Sequence, residues 1–139
     1  MEIFKQLKQN YSQRPHWMNA VMGFCFFMTF IYLPWDIFIK PLAEDQEVWF
    51  GVLFYGWLAK LGALSHWFVY GAGFFGLWKM KSWLHPWVEL YILQVAFSMF
   101  VWSVIDSEGP ALWSGIAVTS VFVFLAYGFY SKKSLFTST

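Results

Sequence analysis

Residues 17–39 read WMNAVMGFCFFMTFIYLPWDIFI, an apolar run with one formal charge, at Asp36. A helix rises 1.5 Å per residue and a bilayer core is about 30 Å thick, so roughly 20 such residues span it. Basic residues precede the run, as in a signal peptide, but it is too long for an h-region and has no A-x-A cleavage site. It is expected to be a retained membrane helix. Pro34 has no N–H to donate, so a kink or an end is expected there.

Three more apolar stretches follow. Val48–Trp78 is longer than one perpendicular crossing and is interrupted by Gly51, Gly56, Lys60 and Gly62. The economical reading is an interfacial helix from about Asp45 to Leu58, then a span near 60–80; one long tilted helix is the alternative. The third span is expected near 83–105, with Ser82 as N-cap and Pro86 tolerated in the first turn. The fourth follows Glu108-Gly109-Pro110 and runs to about Tyr130.

Loop charges orient these helices. Lys5, Lys8, Arg14, Lys79, Lys81, Lys132 and Lys133 fall on one side, and Glu44, Asp45, Glu47, Asp106 and Glu108 on the other. By the positive-inside rule, both termini are expected in the cytoplasm. Trp17, Trp78, Trp83 and Trp87 then mark one interface, and Trp35, Trp49, Trp57, Trp102 and Trp113 the other. Only Trp67, beside His66, lies well inside a span. Ile3, Phe4, Leu7 and Tyr11 recur at helical spacing near Lys5 and Lys8, which predicts an amphipathic helix for a membrane surface or a partner. The tail 134–139 is expected to fray.

The expected fold is therefore an all-α polytopic membrane protein. One integral membrane domain, 1–139, comprises a cytoplasmic amphipathic segment 1–16, spans near 17–39, 60–80, 83–105 and 110–130, and a cytoplasmic tail 131–139. The four-transmembrane-helix bundle carries a short amphipathic N-terminal helix and an interfacial helix before span two. No targeting addition is recognised, so a bacterial inner membrane is the expected location. Composition agrees: of 139 residues, 59% are hydrophobic, 24% aromatic and only 12% charged. Soluble domains carry about 25% charged residues. Cys25 is alone, which removes disulfide frameworks and CxxC redox pairs. A net charge of +1 without a basic patch gives no nucleic-acid signal.

Function is sought among the polar residues at membrane depth, where ionisable groups are expensive. Asp36 and Lys40 are four apart on a helix, and Lys60 starts span two at the same depth. A structural ion pair is one reading; an outward-facing polar ligand site formed by Asp36, Lys60, His66 and Trp67 is the sharper one. Glu89 and His85 are also four apart, either a buried pair that fixes packing or a proton-handling dyad. His66 follows Gly62 and Ala63, which would admit a flat tetrapyrrole to its imidazole; a hydrogen bond to Asp36 or a backbone carbonyl is the plainer role. Gln94, Thr29, Tyr70, Thr119 and Ser120 read as helix–helix glue. No metal-ligand pattern or nucleophile–base set is present, and the cofactor stays open.

The leading expectation is a binding or accessory protein that scaffolds a larger membrane complex or holds a lipophilic small molecule. Its partners would be the lipid bilayer, other membrane subunits or that molecule, and no nucleic acid. A membrane-embedded enzyme or proton-coupled transporter, with Glu89 and His85 moving protons, is the alternative. Pigment or haem at His66 is a third option.

Overall fold

A computed structural model describes residues 2–107 and 109–137 of the chain. Glu108, counted above among the acids of one side, lies outside the described residues, as do Ser138 and Thr139. Helix α1 covers Glu2–Gln13, and a composite helix follows, α2 (His16–Phe27) and α3 (Leu33–Phe38) joined by a π turn over Met28–Tyr32. Strands β1 (Gln46–Trp49) and β2 (Val52–Tyr55) lead into α4 (Gly56–Lys79), α5 (Trp87–Ile105) and α6 (Leu112–Ser131).

Three helices are long and apolar enough to cross a membrane: His16–Phe38, Ser82–Ile105 and Leu112–Ser131. The fourth expected span, α4, is longer than α6 and begins at Gly56 rather than Lys60. Its glycines, Lys60, Ser65, His66 and indoles leave it less apolar than the other three.

Pro34 does not end the first helix. The imide cannot donate to the carbonyl one turn earlier, and the helix widens just before it, where the Leu33 N–H donates to the Met28 carbonyl, five residues back. The Thr29 carbonyl then loses both candidate intrahelical donors: Leu33 is used, and residue 34 is a proline. The Trp67 indole N–H of α4 supplies the missing bond at 2.7 Å.

The interfacial helix expected over 45–58 is instead a β-hairpin, so among the described residues a two-stranded ribbon accompanies the helices. Gln46 pairs with Tyr55 and Trp49 with Val52, around a two-residue turn at Phe50-Gly51. Both turn residues have positive φ, 50° and 85°, as the turn matching strand twist demands. Val48, Trp49, Val52, Phe54 and Tyr55 are β-branched or aromatic, which favours the pleated form over a helix.

The helices form two pairs. The composite helix packs on α4, where Gly71 and Gly73 face Thr29 and Cys25; α5 packs on α6, with Gly115 against Ser103 and the Thr119 hydroxyl donating to the Ala96 carbonyl at 3.1 Å. Two structures join the pairs at opposite ends. Near the termini, Met18, Leu77, Met80, Leu84, Phe129 and Phe136 form the core. At the other end the hairpin lies between α4 and α5. Trp49 fits over Gly62, where a Cβ would come within 2.4 Å of the indole nitrogen, and Gly51 sits as tightly against Val101.

Further corrections follow from the packing. The tail is not frayed before residue 138: Lys133–Leu135 makes a 3₁₀ turn and Phe136 is buried against the core. Ser82 opens a 3₁₀ turn (Ser82–Leu84) rather than capping α5, and Pro86 occupies the position before Trp87. Trp49 belongs to no outward belt, because its ring stacks on His66. Arg14, counted above only as a flanking charge, is buried. Its guanidinium donates to the Leu77 carbonyl at 2.5 Å and to Asn19 Oδ1 at 2.7 Å, so a cation sits on the negative end of the α4 dipole. Desolvation there lowers its pKa.

Substituting Gly62→Ala is expected to destabilise the protein by about 1–3 kcal/mol, the usual effect of overpacking, because Trp49 must move. Gly23→Ala, with open space around the new methyl, should be neutral or slightly stabilising. Thermal unfolding of both variants in detergent checks the contrast.

Candidate functional site

A cavity of about 420 Å³ lies between the two helix pairs. Phe27, Met28, Tyr32 and Leu33 of the composite helix form one wall, and Tyr91, Gln94, Val95, Ser98 and Met99 of α5 form the other. His66 and Tyr70 of α4 complete it, with Glu47 and Val48 of β1 at the hairpin end. Its volume falls in the range of small-molecule sites, about 300–1,000 Å³, and apolar walls with a few polar groups are their usual lining.

The polar groups are built around His66. Strand periodicity puts Glu47 and Trp49 on one face of β1. Glu47 Oε1 lies 2.7 Å from His66 Nδ1, and the Trp49 ring stacks on the imidazole at 4.3 Å and 12°. Tyr70 is one turn beyond His66 on α4. Its ring stands edge-on to that of Tyr91 at 5.9 Å, and the Tyr91 ring in turn stands edge-on to His66 at 6.0 Å. Gln94, one turn further along α5, donates from Nε2 to Ser98 Oγ at 2.8 Å. Its carbonyl oxygen is buried and accepts no hydrogen bond.

The expected ligand site of Asp36, Lys60, His66 and Trp67 is therefore divided. Trp67 points to the composite helix, onto the Thr29 carbonyl and edge-on to Phe38 at 6.0 Å. Asp36 and Lys60 join a second cluster with Lys40 and Asp45. Lys40 Nζ is 3.1 Å from both Asp36 Oδ1 and Asp45 Oδ1, and Lys60 Nζ is 2.9 Å from Asp45 Oδ2. Lys60 reaches Asp36 through its backbone carbonyl rather than its carboxylate, and also donates to the Lys40 carbonyl at 3.0 Å. Asp36 and Asp45 are 2% and 1% exposed. Two cations and two anions balance, and together they tie the end of α3, the start of β1 and the first turn of α4.

His66 bonds Glu47, not Asp36. The space beside Gly62 and Ala63, read as room for a tetrapyrrole, is taken by the Trp49 indole. The expected polar glue is largely local: Thr29 and Ser120 hydroxyls donate to carbonyls one turn back.

At the terminal end, His85 Nδ1 and Glu89 Oε1 are 2.5 Å apart. Phe136 covers the imidazole edge-on at 4.6 Å, and His85 Nε2 and Glu89 Oε2 are buried without hydrogen-bond partners. Asn19 is held elsewhere: it accepts from Arg14 and donates to the Tyr11 carbonyl. Comparison with protein-family models, with curated proteins and with solved structures gives no match.

Glu47, Tyr91 and Asp45 were missed as site residues. Glu47 and Asp45 were counted as loop charges, and only the hairpin turns them inward. Tyr91 carries no charge to mark it.

The cluster at Asp45 has a defined pH window. Burial alone would raise the Asp45 pKa, but Lys60 and Lys40 outweigh it and hold the carboxyl below its ordinary 3.8. Burial likewise lowers Lys40, and the two carboxylates outweigh it, leaving the amine above 10.5. A depressed acid stabilises the fold above its unfolded pKa, and a raised base stabilises it below its own. Stability from the cluster should be level between about pH 4 and 10 and fall outside those limits. Asp45→Asn should remove the acid limb and lower stability at pH 7 by about 3 kcal/mol, since it leaves Lys60 without a carboxylate and Lys40 with Asp36 alone. Unfolding midpoints across pH measure both effects.

Proposed function

We propose that this chain is an integral membrane protein that holds a lipophilic small molecule in the cavity between its helix pairs. The supporting observation is the cavity itself: apolar walls from two separate helix pairs, closed at one end by a hairpin that carries Glu47 to His66. Its wall reaches the outside of the bundle, since Phe27 and Tyr32 both line it and are 44% and 39% exposed. A molecule dissolved in lipid could enter there without crossing water. The connections between the helices are short, which suits a binding or accessory role.

In this reading α4 is the fourth span. Its lower apolarity is accounted for by the residues that it turns toward the cavity and the ion cluster rather than toward lipid. The bundle then has both termini in the cytoplasm of a bacterial cell, with Lys79, Lys81, Lys132 and Lys133 beside them and the hairpin on the far side. Exposed Phe4 and Tyr11 on α1, next to Lys5 and Lys8, suit docking on the anionic inner leaflet.

Cysteine-accessibility labelling in intact cells tests the topology. A cysteine at Glu44, exposed in the loop before the hairpin, should react with an impermeant maleimide, while one at Lys132 should react only after lysis. For the ligand, purification in mild detergent followed by extraction and mass spectrometry should show a lipophile enriched over bulk lipid. Val95→Trp, which fills the cavity, should deplete it at least five-fold without changing the elution profile. Equal lipophile content in both proteins would refute the cavity assignment.

A further inference from the structure

The cavity between the helix pairs is open on one side. Among the described residues that line it, only Phe27 and Tyr32 are exposed; the rest are half-buried or buried. These two rings lie 6.4 Å apart, tilted by 31°. They stand at i and i+5, positions that point about 140° apart in an α-helix at about 100° per residue. The π turn over Met28–Tyr32 closes over five residues instead, as the Leu33 N–H bond to the Met28 carbonyl shows. Both rings therefore reach the cavity. Depth is equally specific. The composite helix His16–Phe38 has 23 residues, with Phe27 at its middle and Tyr32 about 7 Å closer to the hairpin end. Toward the termini the space between the helix pairs is filled: Met18 and Met22 pack with Phe74, Leu77, Val88 and Phe129. Half of a bilayer core is about 15 Å deep, so the opening faces acyl chains of one leaflet and the packed core faces the other.

Resting on the reading of this cavity as a lipophile site, we propose that its ligand enters sideways from the leaflet on the hairpin side, through a portal whose two posts are Phe27 and Tyr32. A lipophile in that leaflet reaches the portal without leaving hydrocarbon. One in the other leaflet meets the core around Met18 and Phe129 and must first cross the midplane. The π turn brings the posts together, and Pro34, by withholding an N–H, keeps that turn wide. Each post turns about its own side-chain torsions, so the portal opens without unwinding the helix.

Photolabelling of the full-length protein in proteoliposomes provides the test. A cysteine at Glu44, biotinylated with an impermeant maleimide, allows capture of vesicles whose hairpin faces outward. The probe is a phosphatidylcholine with a diazirine in its acyl chain, placed in the outer leaflet alone or in the inner leaflet alone. Ser98 is the reporter, because it lines the cavity yet is only 4% exposed. Peptide mass spectrometry should find Ser98 labelled about ten-fold more from the hairpin-side leaflet. Bridging Phe27→Cys and Tyr32→Cys with dibromobimane, in a Cys25→Ser background, should cut that labelling about five-fold. The same protein left unbridged controls for folding. An equivalent bridge between Val121→Cys and Phe124→Cys, exposed on α6, should change nothing. Equal or greater labelling from the other leaflet, or labelling that survives the first bridge, would overturn the proposal. If Val95→Trp depletes a copurifying lipophile while Ser98 is labelled from neither leaflet, sideways entry is wrong and the lipophile site stands. If neither effect is seen, both are wrong.

Discussion

The arrangement of the whole chain depends on the contact of Trp49 with Gly62 and His66. An indole can lie against α4 only where the helix offers a residue without Cβ, and Gly62 does so one turn before the histidine. Seated there, Trp49 fixes the hairpin over the end of the bundle, and the same strand face brings Glu47 to the imidazole. The hairpin is then wedged between α4 and α5, with Gly51 close to Val101. The helix pairs meet at both ends and leave an interval between, which is where the cavity lies. Bundles of helices usually close such gaps with side chains. Here a ribbon of ten residues acts as a spacer.

The ends of α4 are secured by charge in two different ways. Arg14 lies against the carbonyls that terminate the helix and have no further turn to bond. At the other end Lys60 reaches carbonyls of the composite helix and the Asp45 carboxylate. Neither end rests on an exposed ion pair, which would contribute little. Both use cations largely withdrawn from solvent and held by several oxygens, so removing a partner costs more than losing a surface contact. That explains why a helix so rich in glycine keeps its shape.

Much of this fold was legible in the sequence, and the exceptions have physical causes. Length and apolarity marked the three strongest helices to within a few residues, because a long hydrophobic run has few alternatives. The pairings Asp36–Lys40 and His85–Glu89 were visible from i, i+4 spacing alone. The hairpin was missed because Val48-Trp49-Phe50-Gly51-Val52 reads as a continuation of an apolar stretch. A turn signal of Phe-Gly is also far weaker than Asn-Gly. The burial of Phe136 was missed because it depends on a contact with a distant 3₁₀ turn and helix. For the site, His66 was legible but its neighbours were not. Glu47 sits nineteen positions away in a segment whose conformation was misjudged, and Tyr91 belongs to another helix pair.

The π turn before Pro34 has an effect that extends beyond its own five residues. Successive residues of an α-helix are about 100° apart around the axis, so one extra residue in a turn rotates everything after it by that much. Asp36 lies downstream of the turn and is buried on the side of α4 and the hairpin, while Trp35 and Phe38 are exposed. In an unbroken α-helix running through Phe27 to Phe38, a different residue would occupy that inward angle and the aspartate would be swung toward the outer face. The wide turn thus sets the rotational phase of the helix end, and the Trp67 indole pins that phase through the Thr29 carbonyl. A proline usually regarded as a breaker acts in this chain as an indexing device, aligning one carboxylate with the two lysines that neutralise it.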